Sequence, residues 1–369
     1  SLKPFLYALA LEKGWHAASF LNDAPLSEAV GTGLHRFRNY SRGHYGWVSV
    51  REALGNSLNI PALLTIRHVG VADYMTVLQQ LGFKSLQRNA DYYDEGLALG
   101  NGEVTLLELA QAYMVLAQGG VKRPLRFLMN DRATYTERRI YSYETASLIG
   151  NILSDPWARR LEFGGGGALN LPVQTAVKTG TSTDYRDAWV AGYNDKYVVA
   201  IWMGNLDRTA TDGVTGASGP AMALRGIFAK LNTGRETKSL SLSPHLVLRD
   251  VCVRPVADCA RRQEWMRPDD VIEDYAPSKR VLEMVRPTDG LQLAYDPRVP
   301  AAHQKFRFEI AGLAPDAAVS WYLNDQFLAQ TMQGTYLWPV QRGHYSLRAQ
   351  IKNKDGSTLE MAAVKFTVK

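Results

Sequence analysis

Nowhere in the 369 residues is there a run approaching the roughly 20 uninterrupted apolar residues that a membrane helix needs. The N-terminus also carries no charged stretch, apolar core and small-residue cleavage site, so the chain as it stands is expected to have neither anchor nor leader. Cysteine is nearly missing: Cys252 and Cys259 are too few for a disulfide scaffold and lack the CxxC spacing of a zinc site. Their closeness in a loop-like segment favours a local disulfide and an oxidising compartment; two unpaired thiols in a reducing one are the alternative. The seven histidines show no metal-ligand spacing, so no metal is expected, and nothing calls for a cofactor. The glycine run Gly164 to Gly167 is followed by no GK[ST] and opens no helix, which excludes a phosphate-binding loop and leaves a mobile one. The net charge of +6 comes from scattered Lys and Arg with no basic stripe interleaved with aromatics, so nucleic acid is not an expected partner.

What is present is a globular composition, 46% hydrophobic and 21% charged, which disfavours disordered, collagen-like and coiled-coil chains. At roughly 150 residues per domain, the length implies two or three domains. Residues 1 to 160 read as mostly helical. "SLKPFLYALAL" opens the chain as a helix, "SVRE" sets Ser49 and Glu52 as a capping box, and "TLLE" repeats the device with Thr105 and Glu108. Leu106, Leu109, Ala110, Tyr113 and Leu116 then mark one helix face, which Gly119 stops. After the glycine run the period changes to that of strands: "VQTAVKTGTS", "DAWVAGYN" and "YVVAIWMGN", the last two joined as a hairpin at Asn194 to Lys196. Trp189 and Trp202 on these paired strands read as core packing, and Arg186 with Asp187 as a candidate ion pair. Residues 231 to 290 lack sustained periodicity apart from a helix near "SKRVLEMV", and read as a linker or connecting segment. From residue 291 to 369, "QKFRFEI", "AVSWYLN", "HYSLRAQIKN" and "AVKFTVK" alternate as the strands of a small, separate β-sandwich.

Three short stretches carry chemistry. "KTGT" at 178 to 181 puts Lys178 and Gly180 on one face of a strand, where an edge could offer a cation, hydroxyls and a backbone N–H to an anionic substrate. "SLN" brings a hydroxyl, Ser57, and an amide, Asn59, to a helix break before Pro61. Lys3 sits on the first turn of an apolar helix beside Pro4, where a lysine could be a buried base. Each alone has a plain structural reading: an edge-strand lysine that discourages aggregation, a turn with a cap, a helix start.

Taken in order, "LKPF", "SLN" and "KTGT" resemble the SxxK, SxN and KTG signature of the penicillin-binding proteins. "REALGNSLNIPAL", "GNGEVTLLELAQAYMVLAQGG" and "AVKTGTSTDYRDAWVAGY" extend the likeness to the transpeptidase domain of the bifunctional class A members, of the 1C-like kind, over roughly residues 1 to 230. The terminal β module resembles the small C-terminal domain of the same group. The resemblance implies an α+β fold in which an antiparallel sheet packs between helices, followed by the all-β domain. It implies acyl transfer from D-Ala-D-Ala stem peptides, with peptidoglycan stem peptides and β-lactam antibiotics as partners and other cell-wall synthesis proteins as further ones. It also implies a location on the periplasmic side of the bacterial inner membrane. In that scheme Lys3 is the base, Ser57 relays a proton, Asn59 holds the substrate amide, and Lys178, Thr179, Gly180 and Thr181 receive its carboxylate, with the Thr181 N–H as an oxyanion donor.

The SxxK spacing puts the nucleophilic serine three residues before Lys3, one position ahead of Ser1, which is itself the first x of the motif. The expectation is a fragment that begins inside the motif, lacks an upstream anchor and glycosyltransferase domain, and is catalytically inactive as it stands. Two other readings stay open: a catalytically silent wall-binding scaffold, and a β-lactam sensor or hydrolase on the same fold.

Overall fold

The computed structural model describes all residues except 31–32, 38, 42, 129–135, 165–166, 183–184, 257–258, 273–281, 294, 296–303, 314–316, 333 and 354–355. It divides the chain into two compact units, Ser1–Asp274 and Tyr275–Lys369.

In the first unit, helix α1 (Lys3–Glu12) is the centre of the core, since every residue from Lys3 to Leu11 is buried. A helix apolar on all sides must be wrapped by others. Here α2 (Val50–Gly55), α3 (Asn59–Val69) and the helices Val71–Leu81 and Tyr143–Ser154 surround it. Phe5 meets Phe83 and Tyr113 edge-on, with ring centroids 5.9 and 5.3 Å away. Pro4 lies in the first turn, where a backbone N–H would have had no intrahelical acceptor in any case. The hydroxyls of three buried tyrosines close on the same turn: Tyr113, Tyr74 and Tyr141 donate to the carbonyls of Ser1, Leu2 and Phe5 at 2.9, 3.0 and 3.2 Å. The start of α1 is thereby held by hydrogen bonds as well as by packing.

Both expected capping boxes form. The Glu52 N–H donates to Ser49 Oγ at 3.3 Å while the Ser49 N–H donates to Glu52 Oε2 at 3.0 Å, and Thr105 and Glu108 exchange bonds of 3.2 and 3.0 Å. The helical reading of residues 1 to 160 does not extend over 20 to 49. There Phe20–Asp23 pairs antiparallel with Gly46–Ser49, and Leu26–Val30 with Gly33–Phe37. Runs this short cannot recover the nucleation cost of a helix but can pair as ribbons.

The antiparallel sheet runs Ala176–Thr181, Asp187–Tyr193, Val198–Gly204 in spatial order, the last two joined at Asn194, whose Oδ1 accepts the N–H groups of Lys196 and Tyr197. Alternation along the strands sorts their apolar residues. Ala176, Ala191 and Tyr193 join the core around α1, whereas Val177 and Val190 join Ala221, Leu224 and Phe228 of the helix Gly219–Leu231 on the other side. The sheet therefore lies between helical layers, as the resemblance implied. Trp189 and Trp202 lie 6.3 Å apart on the paired strands, and Asp187 accepts the Trp202 indole N–H at 2.8 Å.

Within residues 231–290, Val247–Cys252 pairs with Arg261–Met266, and a disulfide between Cys252 and Cys259 closes their connection. This ribbon is tied to α2 through buried Arg51, which donates to Glu264 at 2.7 and 2.5 Å and to Asp155 at 3.1 Å. The helix expected near "SKRVLEMV" is corrected where it can be seen: residues 278–281 lie outside the described residues, and Glu283–Arg286 is a strand paired with Lys305–Ala311. Met284 there faces Ile310 across the ladder, a pairing that outweighs a helical tendency too short to nucleate.

The second unit has a three-stranded sheet of Glu283–Arg286, Lys305–Ala311 and Thr335–Pro339. A six-stranded sheet is built on Gly343–Lys352, flanked by Ala318–Leu323 and Val364–Val368. Phe308 and Trp338 from the first, with Trp321 and Phe366 from the second, form one aromatic core between them.

Candidate active site

Lys3 projects from the first turn of α1 and is only 7% exposed. Its Nζ donates to the Ser57 carbonyl at 2.8 Å and to Asn59 Oδ1 at 2.6 Å. Ser57 owes its position to the end of α2. Its N–H donates to the Leu54 carbonyl, and the N–H of Leu58 donates to that of Ala53, which is the paired pattern of a Schellman cap. That cap demands a left-handed residue, usually glycine, and Ser57 takes it at φ +59°. A serine in this conformation carries roughly 1 kcal/mol of backbone strain, held because the cap and the site both use it. Leu58 then turns extended and Asn59 begins α3.

Lys178 comes from the edge strand and is 2% exposed. Its Nζ donates to Ser57 Oγ at 2.6 Å and to the Thr179 carbonyl at 2.9 Å. One serine thus joins both lysines, its hydroxyl to Lys178 and its carbonyl to Lys3. Beyond Lys178 the strand emerges: Thr179 is nearly buried, Gly180 half-buried and Thr181 exposed. The Ser182 N–H bonds back to the Asp187 carbonyl, so ladder alternation directs the N–H of Thr181 to the open edge of the sheet. A Cβ on Gly180 would lie 2.8 Å from the backbone nitrogen of Ser1 and 3.2 Å from its hydroxyl, a closeness that only glycine permits. From the loop before the helix Gly219–Leu231, the Gly216 N–H donates to Thr181 Oγ1 at 3.1 Å.

Desolvation dominates the electrostatics. Burial lowers the Lys3 pKa to about 7, against the pull of the Glu162 carboxylate, which raises it. Burial also pushes Lys178 well below its ordinary value, with Lys3 and Arg159 pressing in the same direction. A pocket of buried nitrogens with few charges to balance them favours the neutral form of at least one lysine and the arrival of an anion.

Lys3, Ser57, Asn59 and Lys178, read from three separate stretches, therefore meet at one point, with Thr179, Gly180 and Thr181 adjoining. Cys252 and Cys259 belong instead to the ribbon. Sequence reasoning missed Glu162, whose Oε1 accepts hydrogen bonds from Ser41 and Tyr45. It also missed Asn39, whose Oδ1 accepts the Asn59 N–H at 2.9 Å, and Asp23 behind it. Glu162 lies in the short helix Arg160–Phe163, Asp23 at a strand end and Asn39 in a connection, none with a motif of its own, and only the folded chain brings them to the site.

The family model "Penicillin binding protein transpeptidase domain" matches residues 1–222, and "Penicillin-Binding Protein C-terminus Family" matches residues 274–362. Penicillin-binding protein 1C of Escherichia coli is 37% identical over 216 residues, covering 58% of this chain and 27% of that protein. Penicillin-binding protein 1A of Neisseria cinerea is 29% identical over 238 residues, covering 59% and 29%. The chain thus spans less than a third of the curated relatives' length. Among solved structures, penicillin-binding protein 1A from Haemophilus influenzae superposes with a TM-score of 0.62 at 26% identity, over 74% of this chain and 48% of that one. With residues 1–222 of its 369 matched by the family model and the motif residues assembled in one site, the chain belongs to the penicillin-binding protein transpeptidase family.

Proposed function

We propose that the first unit carries a serine-type D,D-transpeptidase site that cross-links peptidoglycan stem peptides and is acylated by β-lactams. The observation that carries this reading is Ser57 hydrogen-bonded at once to Lys3 and Lys178, beside an edge strand whose Thr181 N–H faces outward. The nucleophile's place is one residue before Ser1, where a serine would join the backbone nitrogen that lies against Gly180.

A serine hydroxyl there attacks the carbonyl between the two terminal D-alanines, and its proton passes to Lys3. With a pKa of about 7, Lys3 is near half neutral at neutral pH and can accept it. The Thr181 N–H supports the oxyanion. As the C–N bond breaks, a proton delivered through Ser57 leaves with the departing D-alanine. An amine from a second stem peptide then attacks the acyl-enzyme, forming the cross-link and regenerating the serine. The substrate carboxylate arriving beside Thr179 and Thr181 brings Lys178 a negative charge that opposes the lowering by burial and by Lys3. The disulfide supports placement in an oxidising compartment, in keeping with the periplasmic side of the inner membrane.

The test is labelling with a fluorescent penicillin, read on a denaturing gel, of the chain carrying either Ser or Ala before Ser1. Covalent label on the Ser form alone is the expected result. Folded proteins that both stay unlabelled would refute the reading, and a labelled Ala form would place the nucleophile elsewhere.

A further inference from the structure

We propose that Asn39, anchored on the buried carboxylate of Asp23, is a positioning residue that sets the Asn59–Lys3 contact at the start of α3; this rests on the acyl-transfer reading above. Neither residue touches the reacting groups. Asp23 is fully buried, and Asn39 is 3% exposed. Asn39 Nδ2 donates to both Asp23 oxygens, at 2.9 and 2.7 Å, and to the Gly43 carbonyl at 3.0 Å. The Tyr45 N–H adds a further bond to Asp23 Oδ2 at 2.9 Å.

With its amide donors committed in this way, the Asn39 side chain can turn only its carbonyl oxygen to α3. That oxygen accepts the Asn59 N–H at 2.9 Å. Asn59 is the first residue of α3, where an N–H has no intrahelical acceptor, and the preceding Leu58 offers no side-chain cap. Asn39 therefore caps the helix from a distant segment. In doing so it fixes the residue whose Oδ1 holds Lys3 at 2.6 Å. The Asp23 carboxylate, together with the Gly43 carbonyl, orients the amide so that its accepting end faces Asn59.

The consequence is specific. Loss of the cap lets Asn59 drift from Lys3, and displacement of a catalytic partner by about 1 Å costs on the order of 10- to 100-fold in rate. Losing an acceptor also disfavours the ammonium form, so the pH limb that reports Lys3 moves to lower pH while the plateau falls. Glu162, Lys178 and, behind it, Arg159 are the other charged groups of this site, and they are unchanged in the variants.

The experiment measures penicillin acylation against pH in the Ser-extended chain and in Asn39→Ala, Asn39→Asp and the exchanged pair Asp23→Asn/Asn39→Asp, each checked for folding by circular dichroism. The single Asn39→Asp sets two carboxylates within hydrogen-bonding distance, where both cannot ionise together. The exchange restores one amide-to-carboxylate bond and a carboxylate oxygen accepting the Asn59 N–H; the second of the two bonds between residues 23 and 39 and the bond to the Gly43 carbonyl are lost. Slow single variants with an acid-shifted limb, and an exchanged pair that recovers at least about tenfold over the slower single variant, are expected. Folded single variants that acylate at the parent rate and pH overturn the proposal. So does a folded exchanged pair as slow as the single variants, a comparison that still decides if the singles fail to fold. A parent that takes no label overturns the acyl-transfer reading and this proposal with it.

Discussion

Replacing Lys3 with Met removes a buried ammonium while filling nearly the same volume, and its effect on stability follows from the site itself. Burial takes the Lys3 pKa from the ordinary 10.5 to about 7. The folded value lies below the unfolded one, so between about pH 7 and about pH 10.5 the unfolded chain holds the extra proton. Stability from this group therefore rises with pH across that window and is flat below it. The lowering from 10.5 to about 7 corresponds to about 5 kcal/mol, an upper bound because removing Lys3 also relieves Lys178, which it depresses. The acceptors left behind, the Ser57 carbonyl and Asn59 Oδ1, add a destabilising offset that does not vary with pH. Urea unfolding of the Ser1–Asp274 unit, followed by hydrogen exchange of α1 amides between about pH 6 and pH 10, separates the two contributions. Lys3→Met should gain on the parent by several kcal/mol as pH falls from 10 to 6. Parallel pH–stability curves for the two proteins would refute the claim that Lys3 is desolvated, and with it the supply of a neutral base at pH 7.

Three further outcomes are expected. Ser57→Gly and Ser57→Ala both remove the hydroxyl that accepts from Lys178, but glycine alone relieves the left-handed backbone; Gly should be the more stable by about 1 kcal/mol in denaturant titration, with acylation lost in both. Gly216→Ala would set a Cβ 2.4 Å from the Trp189 carbonyl oxygen and 2.7 Å from that of Gly180, backbone atoms that cannot yield cheaply. It should slow acylation by displacing the substrate strand, and a variant with the parent's acylation rate would show that Gly216 does not brace it. Glu264→Gln removes one carboxylate and one of two acceptors from the buried Arg51 guanidinium while Asp155 still pairs with it, and should cost about 1 to 3 kcal/mol, measured by urea unfolding.

Much of the fold was legible because its signals are local. The capping boxes at Ser49 and Thr105 are each written within four residues, and the alternation of "DAWVAGY" and "YVVAIWMGN" within seven and nine. The disulfide was favoured, over unpaired thiols, by two cysteines seven positions apart. Signals weakened where pairing partners are distant: the ribbon over residues 247 to 266 depends on Arg51 and Glu264, 213 residues apart, and the strand Glu283–Arg286 on a ladder with Lys305–Ala311. The motif residues of the site could be named from their order along the chain, but their supports could not, since a single Asn or Asp in a ribbon reads as a turn.

By itself, then, the sequence determined which helices start where, which strands alternate, and which lysines, serine and asparagine carry the signature. Only the tertiary structure decided that Lys3 and Lys178 share Ser57 from opposite sides, 54 and 121 residues away from it. It also buried the Lys3 side chain, which lowers its pKa to about 7, and set Asn39 between Asp23 and the Asn59 N–H. Periodicity and caps are set by the nearest neighbours in the chain, whereas desolvation and a hydrogen-bond partner are set by whatever the fold packs alongside.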